Sequence, residues 1–315
     1  FSEFYVDDLT DKKDLESVVD KLLFGFSGMP VSEIVDVYLA CRASAVDSLI
    51  DGAGQRPLYS LRSLTRALRS MRDFMAVGIR PPTRALYEAF ILNFQCQLGE
   101  KSKAFMITFL QQCFKVNGTT KALAQAPSCP GGASEDNKKL WVLVKPFWLR
   151  TGHQVCRDYA ERAKDGTTRF VLTPAVTSVV RDLASAVAAG IAPILLQGPT
   201  SAGKTSVIEY LAARTGHKCV RINNHEHTDI QEYVGGYVTA MDGRLHFRDG
   251  LLVEALRNGY WIILDELNLA PSDVLEALNR LLDDNRELYI PETGEIVKPV
   301  PGFCLFATQN PPGAY

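Results

Sequence analysis

A pattern of two glycines, a lysine and a threonine lies near the middle of the chain. Residues 198–205 read Gly-Pro-Thr-Ser-Ala-Gly-Lys-Thr. Such glycines let the backbone approach phosphates, whose charge is bound by successive N–H groups and a helix N-terminus. Lys204 then reaches the outer phosphates, and the Thr205 hydroxyl reaches Mg²⁺. We predict that ATP is contacted by Leu172, Gly198, Pro199, Thr200, Ser201, Ala202, Gly203, Lys204, Thr205 and Ser206.

Two carboxylates follow a second apolar run. Residues 260–264 read Tyr-Trp-Ile-Ile-Leu, and Asp265 and Glu266 come next. Asp265 is a candidate partner of hydrated Mg²⁺, and Glu266 is placed to orient or deprotonate the water that attacks the γ-phosphate. An acidic pair of this kind is often only a solvated strand end. Its place in the same region of alternating strands and helices as Lys204 favours the metal and base roles.

A third polar residue ends the last apolar segment. Residues 303–309 read Phe-Cys-Leu-Phe-Ala-Thr-Gln, and Asn310 follows them. An Asn at a strand end usually serves only to form a turn. Here it follows the loop at 198–205 and the carboxylates in order, so we predict a contact with the γ-phosphate or the attacking water.

The segments that flank the loop at 198–205 are those that a phosphate-binding loop requires. Residues 191–197 form an apolar run of strand length, and residues 206–214 carry apolar side chains at helical spacing. A Gly-rich turn formed by chance would need neither flank. The order of strand, loop and helix therefore favours the phosphate-binding interpretation.

The chain contains two regions of different character, and the motifs lie in the second of them. Residues 1–116 carry apolar side chains at helical spacing and predict an all-α region. From residue 140 to residue 315 strands and helices alternate, which is typical of a parallel sheet covered by helices. Two hairpins are predicted within that α/β region, one at Asp242-Gly243 and one at residues 292–294. Residues 117–139 lack periodicity and predict a linker or disordered loop.

The composition excludes several classes of function. With 34 basic and 36 acidic side chains, the net charge of −2 indicates neither a nucleic-acid nor a membrane-surface partner. The seven cysteines never form a Cys-x-x-Cys pair, which favours a reducing, intracellular compartment. No apolar run approaches the roughly 20 residues that span a bilayer. His225 and His227 lack the further ligands that a zinc site needs.

Together these motifs resemble the AAA+ ATPases. Residues 198–205 match the Walker A motif, residues 262–266 match Walker B, and Asn310 matches the first sensor. The sequences of residues 221–229, 264–280 and 306–313 are similar to those of the midasin family. Its members are giant chains with six AAA+ modules and are related to dynein. Both predicted hairpins suit that clade. The resemblance implies ATP hydrolysis in a ring of neighbouring modules.

The order of subdomains in an AAA+ module suggests which subdomain residues 1–116 form. In that family the α/β part ends near an arginine finger and a helical lid follows it. The helical part comes first here, so it resembles the lid of the preceding module, and the chain is expected to be a piece of a longer protein. Residues 60–66 resemble the lid segment with the second sensor, which makes Arg62 a candidate for touching nucleotide in the preceding module.

The resemblance also carries expectations about the whole protein. Midasin-type machines are implied to be nuclear, in the nucleolus and nucleoplasm, and to remove assembly factors from precursors of the large ribosomal subunit. Asn223 or Asn224 is a candidate for the polar residue that restrains the catalytic glutamate until a partner engages. Without neighbouring modules, the chain is expected to bind ATP weakly and to hydrolyse it poorly.

Two other functions stay open at this point. A bacterial module of the MoxR or metal-chelatase type shares the hairpins, although its own lid normally follows it. A nucleotide-bound structural module would hold a ring together without turnover. The presence of both Lys204 and Glu266 argues against such an inactive site.

Overall fold

The computed structural model describes residues 8–26, 29–77, 81–116, 125, 127–132, 139–158, 170–190, 193–239, 243–283 and 285–311. The chain divides into two compact units. The first contains Phe1–Pro130 and Ala188–Gly190, and the second contains Gly131–Val187 and Ile191–Tyr315. Most of the linker predicted at residues 117–139 lies outside the described residues, as does the Met241–Asp242 part of the first predicted hairpin turn.

The first unit is helical in its described residues. Its helices are α1 (Lys12–Leu22), α2 (Val31–Asp47), α3 (Leu61–Val77), α4 (Pro82–Phe90), which continues as a π-helical turn at Ile91–Gln95, and α5 (Glu100–Cys113). Apolar side chains at helical spacing on α1 to α4 form its core, where Phe90 and Phe94 stack with ring centroids 4.9 Å apart. The Tyr59 hydroxyl donates a hydrogen bond to the carbonyl of Phe94.

The second unit is built on a four-stranded parallel sheet. Its strands β3 (Ile194–Gln197), β4 (Cys219–Asn223), β7 (Trp261–Asp265) and β10 (Cys304–Gln309) lie in the order β3-β10-β7-β4. The unit's helices are α6 (Pro174–Ala188), α7 (Lys204–Thr215), α8 (Ile230–Tyr233), α9 (Leu251–Asn258) and α10 (Ser272–Leu282). All five residues of β7 are buried, which explains the uninterrupted apolar run because both faces of a parallel sheet are covered.

Three antiparallel pairs of strands accompany the parallel sheet in the part of this unit that the structure describes. β1 (Trp141–Val144) pairs with β2 (Phe147–Arg150) in a separate antiparallel sheet, although both strands lie in the region for which the sequence predicts a parallel sheet. The predicted hairpins are β5 (Gly235–Thr239) with β6 (Leu245–Asp249), and β8 (Leu288–Ile290) with β9 (Glu295–Val297). The Tyr237 hydroxyl on β5 donates to the carbonyl of Glu292 at 3.2 Å, which joins the two hairpins. The predicted fold class is confirmed.

No described helix combines the length and the apolar character that a bilayer crossing requires.

His217, two residues before β4, gives the second unit a predicted dependence of stability on pH. The ring stacks on Trp261 with centroids 4.7 Å apart, and its Nδ1 lies 2.9 Å from the Thr215 hydroxyl. Burial lowers the pKa of His217 from 6.5 to about 4, with a smaller contribution from His153. As the pH falls from 6.5 to 4, the unfolded chain binds a proton that the folded unit does not. The free energy of unfolding should therefore fall by about 3 kcal/mol across that window.

Urea unfolding of wild type and His217→Phe at a series of pH values measures this effect. Above pH 6.5 the difference in stability between the two proteins should be constant. Below it the wild type should lose stability relative to the variant. Parallel curves down to pH 4 would contradict the assignment to His217.

Candidate functional site

The loop at 198–205 connects the end of β3 to the beginning of α7. Ser201 and Gly203 have φ values of 63° and 80°, so the backbone turns through left-handed conformations just before the helix begins at Lys204. Pro199, Thr200, Ser201 and Ala202 are exposed. A loop that ends at a helix N-terminus presents backbone N–H groups to an anion. The local geometry therefore suits a phosphate group.

Lys204 joins this loop to the end of β10. Its Nζ donates to the carbonyls of Gly198 and Pro199 at 2.8 Å and 2.9 Å, and to Asn310 Oδ1 at 3.0 Å. Asn310 is buried, with 7% of its surface exposed. All three acceptors are neutral, so they orient the ammonium group without cancelling its charge. Two predicted site residues that are far apart in sequence are thus in contact.

Asp265 is the most highly connected side chain of the site. Its carboxylate, of which 9% is exposed, accepts hydrogen bonds from the Thr205 hydroxyl at 3.2 Å to both oxygens. The Thr308 hydroxyl of β10 donates to Oδ1, and the Arg221 guanidinium of β4 donates to Oδ2. Carboxylate and hydroxyl oxygens are the ligands that Mg²⁺ prefers. The pair formed by Thr205 and Asp265 therefore fits such an ion.

Glu266 follows Asp265 in a left-handed backbone conformation, with φ 52° and ψ 47°. This conformation is uncommon for a residue other than glycine. It is held on one side because the Glu266 N–H donates to the Thr308 hydroxyl at 3.1 Å. On the other side the carbonyl of Glu266 accepts from the N–H of Leu269 at 2.8 Å. The Glu266 side chain is half-buried.

The two candidate asparagines at the end of β4 differ in their surroundings. Asn224 is buried, and its Nδ2 donates to the carbonyl of Asp265 at 2.8 Å. Its Oδ1 accepts from the hydroxyl of the fully buried Tyr233, whose pKa is raised to about 12, mainly by burial. Asn223 is exposed, and its Oδ1 accepts from Arg221 at 3.1 Å. Asn224 is therefore held at both ends of its amide, whereas Asn223 can turn towards solvent.

Other predicted residues lie apart from this group or have few polar contacts. Leu172 precedes α6 and has 41% of its surface exposed. Arg62 lies on α3 of the first unit, where it is exposed. The N–H of His227 donates to Nδ1 of His225 at 3.1 Å. The described residues include no group of three or more His, Cys, Asp or Glu side chains that could hold a metal ion.

Sequence reasoning did not single out Arg221 or Thr308 as site residues. Thr308 is fully buried inside β10, and its hydroxyl joins the side chain of Asp265 to the backbone of Glu266. Arg221 stands two residues before Asn223, so both side chains lie on one face of β4. A charged residue within a strand of a covered sheet was the available signal for Arg221. A buried threonine two residues before Asn310 carries no comparable signal.

Two family models match the chain. The Midasin AAA lid domain matches residues 14–117, and the AAA domain of the dynein-related subfamily matches residues 193–315. The first match falls on the helical region and the second on the region with the sheet.

Similar proteins occur in eukaryotes and in bacteria. Midasin of Dictyostelium discoideum is 46% identical over 323 residues, covering 100% of this chain and 5% of that protein. Midasin of Giardia intestinalis is 38% identical over 333 residues, covering 100% of this chain and 7% of that protein. Protein NorQ of Paracoccus denitrificans is 39% identical over 126 residues, covering 40% of this chain and 46% of NorQ. This chain thus spans a small part of the length of the two midasins.

The bond between Tyr233 and Asn224 predicts a loss of stability in Tyr233→Phe. That change leaves the buried Oδ1 of Asn224 without its donor, and an unsatisfied buried acceptor costs about 1–3 kcal/mol. Tyr289→Phe, at a hydroxyl-bearing ring that is 44% exposed, is the matched control and should cost less than about 0.5 kcal/mol. Urea unfolding of the two variants measures the difference. Equal stabilities would show that Asn224 does not depend on Tyr233.

Proposed function

We propose, from the premise that the chain belongs to the midasin family of AAA+ proteins, that its α/β unit binds ATP with Mg²⁺ and hydrolyses it. One observation carries the proposal: the end of β10 meets the loop at Lys204, and the end of β7 meets it at Thr205. Phosphoryl transfer depends mainly on positioning and on charge stabilisation. A lysine on neutral oxygens beside a carboxylate and a hydroxyl supplies both.

Each polar side chain of the site has a distinct role in this proposal. Lys204 exchanges its neutral acceptors for the β- and γ-phosphate oxygens and thereby gains a charged partner. Thr205 and Asp265 would hold Mg²⁺, which when bound neutralises charge on the phosphates. Glu266 orients the attacking water and accepts its proton, while Asn310 contacts the γ-phosphate or that water. Thr308 keeps Asp265 and Glu266 in a fixed mutual orientation.

For the residue that restrains Glu266, the contacts favour Asn223 over Asn224. Turning the Asn224 amide would break its bonds to both Asp265 and Tyr233 inside the protein. Turning Asn223 breaks one bond to Arg221 at an exposed position. Unpaired buried polar groups are costly, so a side chain that must move is better placed at the exposed position.

The chain's place in a larger assembly is also a proposal. We infer that neighbouring AAA+ modules of one protein form a ring, in which Arg62 touches the nucleotide of the preceding module. An arginine finger is a different residue from Arg62 and comes from a neighbouring module. Such an arginine accelerates related nucleotide hydrolases by roughly 10³ to 10⁵. Turnover by the isolated chain should accordingly be slow. Through the whole protein, ATP hydrolysis would remodel precursors of the large ribosomal subunit in the nucleus by removing assembly factors.

The bacterial similarity supports the second candidate function more weakly. NorQ matches 40% of this chain, whereas the two midasins match all of it. A chaperone module of the MoxR or metal-chelatase type would account only for the α/β unit. A structural module without turnover would need neither the contact between Lys204 and Asn310 nor a glutamate after Asp265.

Lys204→Ala should abolish ATP binding, because the β- and γ-phosphates lose the one charge that the loop directs at them. Isothermal calorimetry with ATP and Mg²⁺ measures the affinity. Lys298→Ala is the control, since that side chain is 72% exposed and directly follows β9 of the second hairpin. Unchanged affinity in Lys204→Ala would refute the proposed role of the loop.

Glu266→Gln should leave ATP bound and unhydrolysed in the full-length protein, because the amide keeps the shape of the side chain and cannot accept the proton. Single-turnover hydrolysis of radiolabelled ATP measures this, with the exposed Glu276→Gln on α10 as the control. A rate equal to that of wild type at this site would show that another group serves as the base.

A further inference from the structure

Arg221 lies where the charges of the proposed site are concentrated. Its Nη2 donates to Asp265 Oδ2 and, at 3.1 Å, to Asn223 Oδ1. The side chain is 46% exposed, whereas that of Asp265 is 9% exposed. The parallel register pairs Asn223 with Asp265 and Arg221 with Ile263, so the guanidinium reaches forward along β4 to the strand end. The ion pair thus has a buried anion and a half-exposed cation.

The oxygen that Arg221 contacts is also an oxygen that Thr205 contacts. Thr205 Oγ1 is 3.2 Å from Asp265 Oδ2, and the guanidinium reaches the same atom. Oδ1 already accepts from Thr308 inside the protein. A cation shared by Thr205 and Asp265 would therefore approach the carboxylate where Arg221 lies. Two cations cannot share one carboxylate oxygen without strong repulsion at low local dielectric.

We propose that Arg221 is a stand-in cation, which neutralises Asp265 in the absence of metal and is displaced when Mg²⁺ binds. This inference rests on the proposed function of the site and goes beyond it by naming the residue that competes with the metal. Arginine suits the role because its guanidinium stays charged at every physiological pH. Its half-exposed position allows the displaced group to regain hydration, so displacement does not bury an unpaired charge.

Displacement has a consequence for Asn223. A single nitrogen of Arg221 donates to both Asp265 and Asn223. When that nitrogen leaves Asp265, the carbonyl oxygen of Asn223 loses its donor as well. Binding of the metal thereby releases the side chain of Asn223 at the end of β4. Arg221 is in this sense a positioning residue, which acts through Asp265 and Asn223 and takes no part in the reaction itself.

The test is the Mg²⁺ dependence of nucleotide binding in Arg221→Gln. Binding of a fluorescent ATP analogue to this chain is measured over a series of Mg²⁺ concentrations, and separately with EDTA. Without its competitor the metal should half-saturate at a concentration roughly threefold to tenfold lower, since one positive charge is removed from its carboxylate. Affinity in EDTA should fall, because without Arg221 and without metal the charge of Asp265, which contacts Thr205 of the loop, stays uncompensated and repels the phosphates.

Two further variants make the result specific. Arg257→Gln removes a 40% exposed arginine whose partners, Asp249 on β6 and Glu295 on β9, belong to the hairpins and not to the parallel sheet, and it should leave the Mg²⁺ dependence unchanged. Arg221→Lys retains the charge and should restore most of the wild-type dependence. If Arg221→Gln does not fold, Arg221→Met, which keeps the aliphatic part of the side chain and removes the charge, is measured instead: a lowered half-saturating Mg²⁺ concentration supports the inference, and an unchanged or raised one refutes it.

The failures of the two proposals can be distinguished. If wild type binds no nucleotide with or without Mg²⁺, even at nucleotide concentrations high enough to detect the weak binding expected of the isolated chain, the proposed function fails. If it binds nucleotide and Arg221→Gln shows an unchanged or raised half-saturating Mg²⁺ concentration, only the stand-in role fails. A loss of thermal stability together with unchanged Mg²⁺ dependence would identify a purely structural ion pair.

Discussion

The buried carboxylate of Asp265 is the constraint on which the geometry of the site depends. A charge with so little exposure is tolerated only when donors surround it. Its donors come from three other elements: Thr205 on α7, Thr308 on β10 and Arg221 on β4. Satisfying one anion therefore fixes the ends of neighbouring strands relative to the helix that follows the loop. The Thr308 hydroxyl that donates to Asp265 also accepts from the N–H of Glu266, so the same network positions the backbone of Glu266.

Lys204, unlike Asp265, is held by neutral groups and not by an opposite charge. Its ammonium group has three neutral oxygen acceptors, which give it direction and leave its charge available. The site thus combines an anion that the protein neutralises with a cation that it only orients. In the proposed function, an incoming phosphate would gain a strong partner in Lys204. An incoming metal would have to displace Arg221 from Asp265, so the proposal makes metal binding harder than anion binding within one site.

Much of this arrangement follows from sequence, and the reasons are local. Residues 260–266 and 303–310 predicted buried strands with polar ends, because an apolar run and its polar boundary are visible in the residues themselves. The register between strands is not visible in this way. Register decides that Arg221 reaches Asp265, and that Asn224 lies inside while Asn223 lies outside. The antiparallel partner of residues 141–144 was missed for a similar reason, since pairing is not encoded in one strand's periodicity.

The network around Asp265 links function to stability across more elements than the contacts of Lys204 do. Removing the carboxylate would leave a buried Thr308 hydroxyl and the Arg221 guanidinium without their acceptor, so loss of metal binding would come with loss of packing at the strand ends. Removing the ammonium of Lys204 leaves the carbonyls of Gly198 and Pro199 in a loop whose residues 199–202 are exposed, where water replaces the donor. It also leaves Oδ1 of the buried Asn310 without that donor. A change at Lys204 therefore disturbs the end of β10 as well as the phosphate contact, but it leaves the contacts among β4, β7 and α7 in place. A change at Asp265 cannot be interpreted so directly, because the anion that would hold the metal also holds β4, β7 and β10 in register with α7.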